Sequence, residues 1–245
     1  MYNQKKKCIV IPCYNVINHI DDVISKIDFK IIDKVFIIDD CCPQNTGKYL
    51  KKKNKNKKIN VTILKRNVGV GGATKIGFKK ALNLGFDIIF KIDGDGQHNP
   101  TDIKKFLKVL TKPNFNFCKG SRFLKKSDKN KIPFVRYYGN IILTLFTKHN
   151  CGNIKITDAV NGYLAIKSSL LKKINLDKVS SNFFFEEDLL FHLSFHKLLL
   201  KEIPIKTIYH NYNNSNLSPI KTIIPFMINH LKNFFVRIYV KKIKY

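Results

Sequence analysis

The chain has 245 residues, with 45 Lys plus Arg against 17 Asp plus Glu, a formal net charge of +28. A hydrophobic content of 44% is enough for a full core and excludes global disorder. The length suits one domain with a small appendage. No apolar run reaches the roughly 18–20 residues a membrane span needs. Met1 to Lys7 lead straight into a strand-like run without a signal-peptide core. A cytoplasmic protein without a spanning segment is therefore expected.

The first half alternates strand and helix signals. Lys7 to Cys13 reads as a buried strand, and Ile17 to Ile27 as a helix with Ile20, Ile24 and Ile27 on one face. Lys34 to Asp39 is a second strand, Thr46 to Lys53 a helix, and Asn60 to Leu64 a third strand. Lys51 to Lys58 is a charge run that reads as a solvated segment. Ala73 to Leu84 is a helix and Phe86 to Ile92 a fourth strand. Pro100 to Leu110 is a helix with Pro in its first turn, and Asn114 to Lys119 a fifth strand. Such alternation predicts an α/β fold, a mostly parallel sheet covered on both faces.

The second half is less regular. Lys125 to Lys131 is a polar loop, Arg136 to Lys148 a helix, and Phe183 to Phe191 the start of another. Lys201 to Tyr209 is strand-like. Pro219 to Val240 is a final helix with an apolar stripe, basic flanks and a possible kink at Pro225. Domain limits of 1–218 and 219–245 follow, with the first divided near 123 into a ligand-binding half and a second half.

The charge points only weakly to nucleic acid. Four of the 45 basic residues are Arg (Arg66, Arg122, Arg136, Arg237), whereas base readers and phosphate clamps favour its bidentate fork. Diffuse Lys reads as solvated surface, with a fraction available to anionic lipid. The six cysteines lack a C-x-x-C spacing and are expected as free thiols.

Parallel sheets bind ligands beyond the carboxyl ends of their strands. Polar residues gather there: Tyr14 and Asn15 after strand one, Asp39 and Asp40 after strand two, and Asp93 to His98 after strand four. Asp93 and Asp95, set among Gly94 and Gly96, can converge on a hard divalent cation, with Gln97 as a third oxygen. Mg²⁺ or Mn²⁺ is expected, and such ions usually also hold substrate phosphates.

A carboxylate at Asp39 or Asp40 can accept hydrogen bonds from a nucleobase or ribose, or cap a turn. Asn67 to Lys75, with Gly69, precedes a helix whose N-terminus favours anions. The segment matches neither the phosphate-loop nor the dinucleotide fingerprint. Arg122 follows strand five and, with Arg136, suits pyrophosphate. Glu186 and Asp188 follow three phenylalanines; they read either as first-turn helix acids or as a general base beside an apolar wall. His98, His192, His196 and His210 show no H-E-x-x-H spacing, and no G-x-S-x-G is present.

Taken together, Ile11-Pro-Cys-Tyr-Asn15, Asp39-Asp40, Asn67-x-Gly69, Asp93-x-Asp95-x-Gln97-His98-x-Pro100 and Gly120-Ser-Arg-Phe123 resemble the inverting family-two glycosyltransferases. The closer likeness is to the dolichol-phosphate-mannose-synthase-like branch. It continues through Arg136-x-x-Gly139-Asn140, Thr157-Asp158-x-x-x-Gly162-Tyr163, Glu202-Ile-Pro-Ile205 and Ser215-x-Leu217. The resemblance implies a GT-A fold, a UDP- or GDP-sugar donor and a divalent metal. Pro12, Tyr14, Asn15 and Asp40 would then line the nucleotide pocket, Asp93, Asp95 and Gln97 would surround the metal, and Arg122 and Arg136 would meet phosphate.

Many such relatives have C-terminal transmembrane helices, whereas this chain offers only a basic amphipathic one. A polyprenyl phosphate acceptor needs no base, whereas a sugar hydroxyl does, so the acceptor stays open between a lipid-linked phosphate and a glycan. The expected protein is an inverting metal-dependent glycosyltransferase of cell-envelope glycan synthesis, peripheral on the cytoplasmic membrane face. The alternatives are a non-catalytic nucleic-acid-binding protein and a nucleotidyltransferase.

Overall fold

The structure, a computed structural model, describes residues 5–124, 132, 134–206 and 219–243. Seven strands form one sheet in the order β3-β2-β1-β4-β6-β5-β7. They are β1 (Lys7–Cys13), β2 (Lys34–Asp39), β3 (Ile59–Ile63), β4 (Ile88–Lys91), β5 (Phe117–Ser121), β6 (Leu164–Lys167) and β7 (Leu200–Pro204). The pairs β2–β3, β1–β2, β1–β4 and β5–β7 are parallel, and β6 runs against both β4 and β5. The helices are α1 (Ile20–Ser25), α2 (Thr46–Lys53), α3 (Gly69–Asn83), α4 (Ile103–Leu110), α5 (Phe134–Asn150), α6 (Ser168–Leu171), α7 (Phe185–Leu193) and α8 (Pro219–Ile243).

The first five strands and their helices agree with the sequence reading within a few residues. β6 is an addition: four residues without a turn-bounded apolar run on either side leave little to read. The expected kink at Pro225 does not divide α8, which is one helix from Pro219 to Ile243. The Lys125 to Lys131 loop, His210 and the Ser215-x-Leu217 motif lie outside the described residues.

Period-two alternation divides the core. Ile9, Ile11 and Cys13 of β1 face α1 and α4, together with Val35, Ile37, Phe90 and Phe106. Cys8 and Val10 face α3 and α7, with Phe36, Ile38, Phe78 and Phe185. Both faces of β1 are therefore covered, which explains its continuous apolar run. At Gly77 a Cβ would overlap Val10, so glycine lets α3 lie close against β1. The six cysteines are unpaired, as expected.

Candidate active site

The strand ends assemble the rim. β1 ends at Cys13 beside Asp39, the last residue of β2. Asn15, with φ of 55°, turns the chain there in a left-handed conformation that Asn tolerates well. Its backbone N–H donates to Cys42 Sγ at 3.2 Å. Pro12 is buried in the sheet, and Tyr14 is exposed. Asp39 and Asp40 separate in role. Asp39 is 1% exposed and accepts from the backbone N–H of Cys42 at 2.7 Å and of Gly47. It therefore builds the turn into α2, the capping alternative. Asp40 Oδ1 accepts from Val68 N–H at 2.7 Å, and Asn67 Nδ2 donates to the Asp40 carbonyl at 3.3 Å. Burial pushes the Asp40 carboxyl up, against the lowering effect of the Val68 and Gly69 N–H groups. Gly69 itself has φ of 81°, and a Cβ would meet the Ser181 carbonyl.

Asp93 and Asp95 sit just beyond β4. Gln97 N–H donates to Asp95 Oδ1 at 2.9 Å across a turn in which Gly96 has φ of 77°. His98 Nδ1 accepts from Asp93 N–H at 3.3 Å, so this nitrogen carries no proton. Burial lowers the His98 pKa to about 4, consistent with a neutral ring. The ring lies 5.1 Å from that of Tyr163.

Beneath them is a buried ionic cluster. Lys91 is 1% exposed, and its Nζ lies 2.6 Å from Asp93 Oδ1 and 2.6 Å from Glu186 Oε1. Burial works against both charges, but the lysine holds the Asp93 carboxyl below its usual range, and the two carboxylates raise the lysine. Gly162 makes room: a Cβ there would overlap Asp93 Oδ2. A second buried cation, Lys119 of β5, donates to the Asn161 carbonyl.

Arg122 is gripped by Asp158. Its Nε and Nη2 lie 2.8 Å from the two carboxylate oxygens, and its backbone N–H lies 3.0 Å from Asp158 Oδ2. Asp158 is in turn set by Glu202, which accepts from the N–H groups of Thr157 and Asp158 at 2.9 and 3.0 Å. Arg136 lies exposed in the first turn of α5.

The α7 acids point in different directions. Glu186 joins Lys91. Glu187 is 1% exposed, and its two carboxyl oxygens have no hydrogen-bond partner. Burial and the Glu186 charge push its pKa well up. Asp188 accepts from Ser180 N–H at 2.7 Å and from Asn233 Nδ2 at 3.0 Å. It opens onto a cleft of about 720 Å³ between α7 and α8, lined by Lys178, His192 and Lys232 among others. Glu186 and Asp188 are thus not brought together on the rim.

Among the described residues no group of three His, Cys, Asp or Glu side chains is placed to hold a metal. Asp93, Asp95 and Gln97 offer oxygen donors of the kind a hard cation takes, too few to fill its shell without substrate oxygens and water. Sequence reasoning overlooked Lys91, Lys119, Asp158 and Glu202 as site builders. The signal for the lysines was available: each is a charge within an otherwise apolar strand.

These features define an α/β protein with a polar rim at the strand ends. The sequence matches the family described as "Glycosyl transferase family 2" over residues 8–175, and the chain belongs to that family. It is 31% identical to a UDP-N-acetylglucosamine–dolichyl-phosphate N-acetylglucosaminyltransferase of Methanococcus voltae, over 84% of this chain and 86% of the relative. It is 25% identical to an undecaprenyl-phosphate mannosyltransferase of Micrococcus luteus, over 85% and 86%. The fold is similar to Mycobacterium tuberculosis glucosyl-3-phosphoglycerate synthase, in a crystal structure with Mn²⁺, UDP-glucose and phosphoglyceric acid. That likeness has a TM-score of 0.66 at 14% identity and covers 96% of this chain and 80% of the other. The protein is a glycosyltransferase, and the nucleic-acid-binding and nucleotidyltransferase alternatives fall.

Proposed function

We propose that the protein transfers a sugar from a nucleoside-diphosphate sugar to a polyprenyl phosphate at a membrane surface. The observation that carries the acceptor choice is the commitment of the α7 acids. Glu186 is held by Lys91, Asp188 by Ser180 N–H and Asn233, and Glu187 is buried. None is offered as the general base that a hydroxyl acceptor requires. A phosphate acceptor is already an anion, so its oxygen can attack the anomeric carbon without one. In this reading Glu186 and Asp188 position the helix rather than abstract a proton. The names of the M. voltae and M. luteus relatives, both with polyprenyl-type phosphate acceptors, support it.

On the donor side, Tyr14, Asn15 and Asp40 would meet the nucleoside, with Pro12, Asn67 and Gly69 shaping the turns around it. Asp95, with Asp93 and Gln97, would hold Mg²⁺ or Mn²⁺. Bound there, the cation supplies Lewis-acid stabilisation for the departing nucleoside diphosphate. Arg122, fixed by Asp158, adds a positive charge of set direction. Arg136 would meet the acceptor phosphate.

The test is transfer of labelled sugar from UDP- and GDP-sugars with Mn²⁺ to a short-chain polyprenyl phosphate and, separately, to glycan hydroxyls. Product on the lipid phosphate alone is expected. Transfer to a hydroxyl acceptor that is abolished by Glu186→Gln but leaves stability intact would overturn the acceptor assignment.

A further inference from the structure

The cleft of about 720 Å³ beside α7 is walled by two elements that side-chain bonds hold together. Asn233 Nδ2 of α8 donates to Asp188 Oδ1 at 3.0 Å, and Arg237 Nη1 donates to Ser194 Oγ at 3.2 Å. The Arg237 guanidinium also lies 4.7 Å from the centre of the Phe195 ring. Since Asp188 meets Asn233 and Ser194 meets Arg237, the two walls run in the same direction. Two residues along a helix turn a side chain by about 200°. Asp188 thus faces away from Glu186 and the Lys91 cluster, and the cleft is separate from the rim.

The two ends of the cleft differ in chemistry. On α8 the lining residues Asn229, Lys232, Asn233, Val236 and Val240 recur at helical spacing on one face. The end near Asp188 holds Lys232, Lys178 and His192, and the far end holds Phe195, Val236 and Val240. Both lysines are exposed. His192 marks where they converge. Its Nε2 lies 3.9 Å from Asp188 Oδ2. Burial lowers the pKa of its ring; Asp188 opposes this, and the charges of both lysines add to it. Asp188 is the one acid among the described lining residues, and Ser180 N–H and Asn233 already occupy its oxygens. Two ammonium groups thus face one carboxylate that is already engaged.

We propose that this cleft is a second anion site, which takes a soluble organic phosphate with its phosphate group between Lys178 and Lys232 and its apolar body against Phe195, Val236 and Val240. Charge selects the phosphate. A dianion matches two ammonium groups, which bind phosphate as point charges, whereas a carboxylate matches only one. The far end selects the body, because a hydrocarbon or aromatic group gains apolar burial against phenylalanine and valine. A volume of about 720 Å³ falls within the roughly 300–1,000 Å³ of small-molecule sites, which suits a compact metabolite rather than a folded partner. None of these residues belongs to the rim, so the site stands independently of the acceptor reading above.

The test is equilibrium dialysis of the full chain against 1-naphthyl phosphate, with inorganic phosphate and 1-naphthol as its two halves. The intact probe is expected to bind at least about tenfold more tightly than either half. Lys178→Gln/Lys232→Gln should weaken it at least about tenfold, and Val236→Ser about threefold with phosphate binding unchanged. All three positions are exposed, so these variants should melt as the wild type does. Lys51→Gln/Lys52→Gln removes the same charge from exposed positions on α2 and should leave binding unchanged. Arg136→Gln, which alters a proposed phosphate contact of the rim, should also leave it unchanged. The inference fails if the probe does not bind, or if 1-naphthol binds as tightly, since apolar adsorption alone would then account for it. It also fails if the α2 variant weakens binding as much as the cleft variant, which would reduce the attraction to net charge, or if Arg136→Gln abolishes binding, which would put the probe on the rim.

Discussion

Lys91→Met removes the cation that two buried carboxylates share. Breaking a buried ion pair from one side costs about 3–5 kcal/mol, since a charge is left without compensation. Asp93 keeps 26% of its side chain in solvent, and the freed carboxylates can share a proton. Both effects draw the expected loss towards about 3 kcal/mol. In a chain of this size each kcal/mol moves Tm by roughly 2–4 °C, so the fall should be about 6–12 °C. The contribution of the Asp93 carboxyl to the pH dependence should also change sign. In the wild type the Asp93 pKa is depressed, so its contribution is present above the unfolded carboxylate value and is lost on acidification through the folded one. In the variant, burial without the cation pushes the Asp93 carboxyl up instead, and stability should fall as pH rises from the ordinary carboxylate range. Urea denaturation between about pH 3 and pH 8 measures this. Adding Glu186→Gln to Lys91→Met removes one of the two orphaned charges and should recover about half of the loss. A Lys91→Met protein within about 0.5 kcal/mol of the wild type, or a further loss on adding Glu186→Gln, would refute the ionic-cluster account.

Three other perturbations probe different parts of the site. Glu187 has a pKa raised by burial, so the unfolded chain ionises first and stability declines as pH rises above the ordinary glutamate value. Glu187→Gln should flatten that slope and melt higher than the wild type at neutral pH, read by thermal melts across pH. Arg122→Lys replaces a two-pronged grip on Asp158 with a point charge. It should cost about 1–2 kcal/mol in denaturation and lower transfer at least about tenfold. Asp95→Asn should leave the fold unchanged while abolishing the Mn²⁺-dependent part of the thermal shift produced by a nucleotide sugar. An undiminished Mn²⁺-dependent shift would remove Asp95 from the metal set.

The inner strands β1, β2 and β4 were legible because each is buried along its length and reads as an apolar run ending in polar residues. Asp40, Asp93 and Asp95 could be placed on a common rim from those endings alone. What sequence could not convey was partnership. Asp39 and Asp40 are adjacent and chemically identical, yet one closes the turn into α2 and the other meets Val68 N–H near the rim. The difference lies in which face of the strand end each occupies, together with the N–H groups that later segments bring there. Likewise the apolar stripe of α8 was visible as periodicity, but periodicity has no sign. It identifies a stripe without saying whether the core or the exterior lies beside it. Here Asn233, bound to Asp188, and His230, against Asn150, turn the polar face inward.

The same distinction applies to the charge. Most lysines are surface residues whose individual loss would cost little. Lys91 and Lys119 differ because they lie within β4 and β5, at 1% and 0% exposure. A buried ammonium is costly unless carboxylates compensate it, and Asp93 and Glu186 do so for Lys91. The consequence extends to the chemistry. This lysine holds the Glu186 carboxylate against an internal cation, a poor arrangement for taking a proton from a neutral acceptor. It is compatible with an acceptor that arrives as an anion, drawn to Arg136 rather than activated by a base. In the proposed reading, the buried cluster that stabilises the site and the choice of a phosphate acceptor would be two results of one ion pair, and Lys91→Met should disturb both together.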